Sequence, residues 1–310
     1  MKFKHIISVK QFLDTDILDE IFELADNMEK YDKADKPQDS LKNKILAAIF
    51  YEPSTRTRFS FEAAMHKLGG DVITTENASY FSSVVKGETL QDTIKIISSY
   101  ADVIVLRHYE EGSAKIASEV SSVPIINAGD GSGEHPTQAL LDLYTIQKEL
   151  GEINNLKIAL VGDLLYGRTI HSLIYLLTLY KKVIIYLVSP NQLQLPGKYK
   201  DYLKQKGVEF KEITDFKEVL DKIDVLYVTR IQKERFKFEQ EYEEVKNTYI
   251  IDRKIVNQLK KNAIIMHPLP RVNEISPEVD SDKRAAYFRQ AKNGLYIRTA
   301  LLKLIFEGKK

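Results

Sequence analysis

The chain has 310 residues, 44% of them hydrophobic and 29% charged, a balance that supports a folded core and excludes a disordered chain. Its 45 Lys and Arg against 44 Asp and Glu leave a formal charge of +1, so bulk electrostatics give no pull toward nucleic acid or an anionic membrane. The absence of cysteine excludes disulfides, thiolate metal sites and a cysteine nucleophile.

The opening MKFKHIISVKQF has no long apolar core and no small-residue cleavage site, so no secretory leader is expected and a cytoplasmic location is. The apolar spacing predicts an amphipathic helix over 17–29, then a polar loop to residue 40. A short apolar strand (KILAAIF, 44–50) precedes Pro53, and a helix over 55–68 stops at Gly69-Gly70. Strand 71–75, a polar loop over 76–88, helix 89–100, strand 103–107, helix 113–119 and strand 123–127 follow. The Gly-rich stretch Ala128-Gly129-Asp130-Gly131-Ser132-Gly133 interrupts the series, and a helix over 136–150 opens on Pro136 at its first position.

A second series starts with strand 156–161. It continues with helix 169–180, strand 183–188, helix 199–206 and strands 208–212, 224–229 and 263–266. A last helix runs from Gly294 onward, with one apolar face over 295–306. The stretch 172–188 is broken by Lys181-Lys182 and reads as a buried helix followed by a strand, too interrupted for a membrane span. Alternating strands and helices indicate parallel sheets flanked by helices, an α/β fold. At this length two domains are expected: 1–135, completed by 291–310 packing back on it, and 136–290.

Residue chemistry gathers at the strand ends. Ser54-Thr55-Arg56-Thr57-Arg58 sits where a strand gives way to a helix. Unpaired N–H groups, hydroxyls and planar guanidiniums there suit a phosphate or carboxylate. Arg107 ends a strand, where open α/β sheets bind ligands. His135 and Gln138 flank a helix start and can donate to a carbonyl oxygen. Gly162-Asp163-Leu164-Leu165-Tyr166-Gly167-Arg168-Thr169 approaches a nucleotide P-loop, but Arg replaces its Lys and no partner strand for Mg²⁺ appears. Arg230 and Gln232 alternate on an extended segment and so point to one side. In His267-Pro268-Leu269-Pro270-Arg271 the prolines remove donors and leave carbonyls free to accept.

Pro53-Ser54-Thr55-Arg56-Thr57-Arg58-Phe59-Ser60-Phe61-Glu62 resembles the carbamoyl-phosphate motif of the transcarbamoylase family. His135-Pro136-Thr137-Gln138, Lys86-Gly87-Glu88-Thr89, the Gly162–Thr169 loop, Arg230/Gln232, the His267–Arg271 loop and Asn293-Gly294-Leu295-Tyr296-Ile297-Arg298 extend the likeness, in order, over essentially the whole chain. Thr137, and Pro268 where the ornithine-using branch carries Cys, place the chain with the aspartate-using branch.

The resemblance implies transfer of the carbamoyl group of carbamoyl phosphate to the α-amine of L-aspartate, in pyrimidine synthesis, without metal or cofactor. Ser54, Thr55, Arg56, Thr57 and Arg107 would hold the phosphate, and Thr57, Arg107 and His135, with Gln138 nearby, the carbonyl oxygen. Arg168, Arg230 and Gln232 would hold aspartate, and the carbonyls of Leu269 and Pro270 would accept from its amine. Ser82 and Lys86 would reach the active site of an adjacent subunit, so a homotrimer with shared sites is implied, either bare or joined by separate regulatory chains. Glu52 would pair with Arg168 and Arg235 on domain closure. The alternatives are another amine acceptor (ornithine or an acylated amino acid) and a non-catalytic anion-binding module.

Overall fold

A computed structural model describes residues 3–36, 38–78, 87–236 and 238–307, with the side chains of residues 234 and 307 left aside. Two compact units emerge from the contacts: residues 1–141 with 292–310, and residues 142–291.

In the first unit, strands β1 (Ile45–Phe50), β2 (Asp71–Glu76), β3 (Val103–His108) and β4 (Ile125–Asp130) form a parallel sheet in the order β2-β1-β3-β4. β1, β3 and β4 are almost continuously buried, as expected for parallel strands covered on both faces, whereas β2 at the edge has no buried residue. Ala47, Ile49, Ile104, Leu106 and Ile125 pack against Ile94 and Ala117 of the covering helices α3 (Leu90–Ile97) and α4 (Ser113–Val120). Helix α1 (Thr15–Lys33) buries Leu18, Ile21, Phe22, Ala25 and Met28, one stripe at helical spacing, and Asp14 caps it through the amide of Asp16. Helix α2 (Thr55–Lys67) follows β1 directly.

β4 runs three residues beyond the predicted strand. His108 pairs with Asp130 after a register shift in β3, so Ala128-Gly129-Asp130 belongs to the sheet.

Helix α5 (Pro136–Leu150) leads into the second unit. There β5 (Lys157–Val161), β6 (Ile184–Val188), β7 (Glu209–Ile213), β8 (Val225–Val228) and β9 (Ile264–Met266) form a parallel sheet in the order β7-β6-β5-β8-β9. Helices α6 (Arg168–Leu177) and α7 (Gly197–Gln205) lie between strands, as the alternation predicted. The short helices α8 (Glu239–Val245) and α9 (Arg253–Val256) were not legible, because seven mostly acidic residues and a single turn show no apolar period.

The last helix, α10 (Tyr287–Glu307), starts seven residues before the predicted Gly294. Gly294 lies inside the helix and is needed there: a Cβ would sit 2.4 Å from Arg298 Nη1 and 3.1 Å from Leu141 Cδ2. The expectation of a single apolar face also needs correcting. Ile297, Ala300, Leu301, Leu302 and Ile305 are fully buried, and Arg298 and Thr299 nearly so. Within the first unit the helix is tied to α1, since Lys292 and Tyr296 both reach Asp32 (2.9 and 3.1 Å), and Arg298 lies over the Phe61 ring. Among the described residues no helix is long and apolar enough to cross a membrane.

Candidate active site

Because β1, β3 and β4 are parallel neighbours, their carboxyl ends lie side by side, and each feeds one predicted segment of the first half-site. After β1 comes the N-terminus of α2. Ser54 is its N-cap by position, but its side chain makes no capping bond. Its hydroxyl and the first-turn N–H groups are therefore not consumed by a cap of that kind. The Ser54 amide donates to Glu76 Oε1 at 3.2 Å, which fixes the turn.

The two arginines of this turn differ. Arg58 is engaged: it pairs with Glu62 (3.4 Å) and Glu76 (3.3 Å) and lies over the Phe59 ring. Arg56 has no hydrogen-bond or ion-pair partner among the described residues. Its side chain keeps access to solvent, yet the protein packed around the guanidinium lowers its pKa by desolvation, without discharging it at neutral pH. A cation at a helix N-terminus, without a partner among the described residues, has the chemistry to take an anion. Thr55 is exposed beside it, and Thr57 is buried on the same turn.

Arg107 lies opposite Phe50 in the β1–β3 register. Its guanidinium donates to the Ala128 carbonyl (3.3 Å) and pairs with Glu52 (3.3 Å). Glu52 thus has a partner inside its own unit.

After β4, Asp130 organises the approach to His135. Its carboxylate accepts from the amides of Gly112 and Glu134, both at 3.0 Å, and from Asn127 Nδ2 at 3.3 Å. Glu134 in turn accepts from the Ser8 hydroxyl (2.9 Å) and the Val9 amide (2.6 Å). Burial pushes the Glu134 carboxyl above the ordinary carboxylate range, partly offset by those two donors. His135, Thr137 and Gln138 are buried at the start of α5, where the His135 carbonyl accepts from the Gln138 amide (3.0 Å). Ser82 and Lys86 lie outside the described residues.

The second unit repeats the plan with β5, β8 and β9, again parallel neighbours. Arg168 opens α6 after the β5 loop. Arg230 and Gln232 follow β8, and Leu269 and Pro270 follow β9. Asp163, fully buried, is the pivot of the first two loops. It accepts from the Tyr166 amide (2.9 Å) and from Gln232 Nε2 (3.2 Å), while its own amide donates to Thr229 Oγ1 (3.2 Å). Burial raises the Asp163 carboxyl above its ordinary range, and the Tyr166 and Gln232 donors oppose that rise. Gln232 is therefore aimed by a carboxylate, which alternation along an extended segment did not reveal.

The third loop is held from within. The His267 ring is buried, and its Nδ1 accepts from the Leu269 amide (2.7 Å), so Nε2 carries the proton shared with Glu274 (2.8 Å). Burial alone would raise the Glu274 carboxyl, but the bond from His267 and nearby amides outweigh it and hold it below its ordinary range. Leu269 has φ of +54°, in the left-handed region, and the Leu269–Pro270 peptide is cis. A leucine is strained there, so the surrounding bonds must over-determine the loop.

Sequence reasoning missed Asp130, Asp163 and Glu274. For Asp130 and Asp163 the available signal was a carboxylate beside Gly at a strand's carboxyl end, a position where it can accept backbone amides; Glu274 has no such neighbour and carried no local signal.

Residues 4–148 match the family described as aspartate/ornithine carbamoyltransferase, carbamoyl-P binding domain, and residues 154–305 its Asp/Orn binding domain. The chain is 55% identical over 304 residues to a chloroplastic aspartate carbamoyltransferase of Arabidopsis thaliana, covering 98% of this chain and 78% of that protein. Its fold is similar to the catalytic subunit of M. jannaschii aspartate transcarbamoylase, with a TM-score of 0.92 and 54% identity over 99% of each chain. It is also similar to aspartate transcarbamoylase from Trypanosoma cruzi in complex with carbamoyl phosphate and aspartate. There the TM-score is 0.92 and the identity 41%, over 97% of this chain and 96% of that one.

Proposed function

Because the chain belongs to the aspartate/ornithine carbamoyltransferase family, we propose that it transfers the carbamoyl group of carbamoyl phosphate to L-aspartate. The products are N-carbamoyl-L-aspartate and phosphate, a step of pyrimidine biosynthesis. The observation that carries the reading is Arg56: a guanidinium without a partner among the described residues, at a helix N-terminus, in the half that matches a carbamoyl-phosphate-binding domain.

In this reading Ser54, Thr55, Arg56 and Thr57 hold the phosphate, with Arg107 beside them. Thr57, Arg107, His135 and Gln138 face the carbonyl oxygen, where negative charge develops as the amine attacks. One preorganised donor of this kind contributes about 10² to 10³ in rate. The amine forms the new C–N bond, the C–O bond to phosphate breaks, and the departing phosphate takes the amine proton. No side-chain base is then needed. Holding both reactants in register contributes roughly 7–11 kcal/mol.

Arg168 and Arg230 are two guanidiniums for the two carboxylates of aspartate, with the Gln232 amide between the loops. The cationic side chain of ornithine would be repelled by the same pair, which favours aspartate as acceptor. Carbonyls of Leu269 and Pro270 accept from the attacking amine. The working assembly is a cytoplasmic homotrimer in which Ser82 and Lys86 complete a neighbour's site, either bare or joined by separate regulatory chains. Turnover of carbamoyl phosphate with L-aspartate, beside L-ornithine, tests the reaction, and mass in solution tests the trimer. Carbamoylation of ornithine in preference to aspartate would overturn the assignment.

A further inference from the structure

A second set of buried polar groups in the 142–291 unit takes no direct part in the chemistry above. Asp142 lies in the apolar run Ala139-Leu140-Leu141-Asp142-Leu143-Tyr144 of α5, and its side chain is fully buried. Both carboxylate oxygens accept. Tyr227 donates its phenol to Oδ2 at 2.7 Å, and Gln290 donates its amide to Oδ1 at 2.6 Å. The phenol proton of Tyr227 is committed to Asp142, so its oxygen accepts the side-chain hydrogen bond it shares with Thr169. On the other arm, Gln290 Oε1 accepts from the His267 amide at 2.9 Å. Tyr227, Gln290 and His267 are all within 1% of complete burial.

The directions agree throughout: two chains of donors end on one carboxylate. Burial and then the charge of Asp142 push the Tyr227 phenol far above its ordinary range, which keeps it a donor. The far ends of the chains matter most. Thr169 is the residue after Arg168. Tyr227 stands in β8, whose exit carries Arg230 and Gln232. His267 opens the loop of Leu269 and Pro270. Three separate strand exits, each bearing a group assigned to aspartate, are thereby referred to a single buried charge.

We propose that Asp142 is the positioning residue of the aspartate half-site, setting the register of the Arg168, Arg230 and Leu269 segments relative to one another through Tyr227 and Gln290. This rests on the aspartate reading of that half. A buried carboxylate costs several kcal/mol to desolvate, and satisfied networks of this kind specify geometry more than they add stability. A displacement of about 1 Å in such supports can cost about 10² in rate.

The test compares wild type with Asp142→Asn and Tyr227→Phe. Asn at 142 turns one acceptor into a donor that faces another donor. The expected result for Asp142→Asn is an aspartate KM raised tenfold or more, with the carbamoyl phosphate dissociation constant changed less than twofold. Tyr227→Phe cuts the ties of β8 and Thr169 to Asp142, leaves the Gln290–His267 arm in place and gives a smaller rise, about threefold. Hydrogen exchange of the His267 amide, which reports without turnover, accelerates tenfold or more in Asp142→Asn relative to β5 amides and stays unchanged in Tyr227→Phe. An unchanged aspartate KM with only a lower melting temperature would overturn the proposal, as would equal loss of affinity for both substrates. If Asp142→Asn does not fold, Tyr227→Phe decides by the same KM and dissociation measurements. A wild type that never carbamoylates aspartate would refute the functional reading alone, and the exchange result would still report whether Asp142 holds the loop.

Discussion

Gln232 donates its side-chain amide to the buried carboxylate of Asp163, 3.2 Å away, joining the exits of β8 and β5. Asp163 also accepts from Tyr166 and is held by Thr229, so its position follows from backbone geometry. Asp163→Ala should free Gln232 and loosen the loop that precedes Arg168. We expect an aspartate KM at least tenfold higher at saturating carbamoyl phosphate, measured by steady-state kinetics. Wild-type kinetics in that variant would show that Gln232 needs no such support.

Arg56 and Arg58 should separate function from stability. Arg56→Ala removes a group without partners among the described residues. It should leave the unfolding midpoint in place while turnover falls by about 10² to 10³. Arg58→Ala breaks contacts to Glu62 and Glu76 and should cost roughly 1 kcal/mol of stability. Chemical denaturation and turnover, run on both variants, would expose a reversed pattern if the assignment is wrong.

Gly162 has φ of +116°, and a Cβ on it would lie 2.3 Å from the Thr229 carbonyl oxygen. Backbone cannot retreat there, because the Thr229 amide is bonded to Val161 at 2.8 Å. Gly162→Ala is expected to destabilise the fold by roughly 2–3 kcal/mol and to weaken aspartate use. A urea midpoint equal to that of wild type would count against this packing.

The Arg284 guanidinium makes two hydrogen bonds to Asp282, both 2.9 Å, and holds its carboxyl down at about 2, against the ordinary 3.8. A carboxyl depressed in the folded state lends stability in full above pH 3.8. That contribution drains away as pH falls from 3.8 toward about 2. Asp282→Asn should therefore flatten the fall of unfolding free energy across this window while lowering stability near neutrality. Denaturant titrations at successive pH values measure both, and parallel curves for the two proteins would disprove the linkage.

Much of the architecture was readable from residue order. Apolar runs such as KILAAIF and LKIALV marked buried strands, and Pro136 marked the start of α5 to the residue. The C-terminal helix shows where local reading fails. Residue order places its start at Gly294, but the helix begins at Tyr287, and the glycine is needed inside it because Arg298 and Leu141 occupy the space of a side chain. Asp142 is a second case: a lone carboxylate in an apolar helix is conspicuous in the sequence, yet its partners lie 85 and 148 residues away.

Local chemistry determined the segments: a helix start after a strand with hydroxyls and arginines, a His at a helix entry, prolines that free carbonyls. These depend on neighbours within a few residues, so the sequence alone could state them. Tertiary structure decided which of the two arginines of the α2 turn is left without a partner among the described residues, which carboxylate Gln232 bonds to, and which residues reach Asp142. Those outcomes depend on parallel pairing of strands distant in the chain, and only the folded arrangement sets which donors and acceptors share one low-dielectric space.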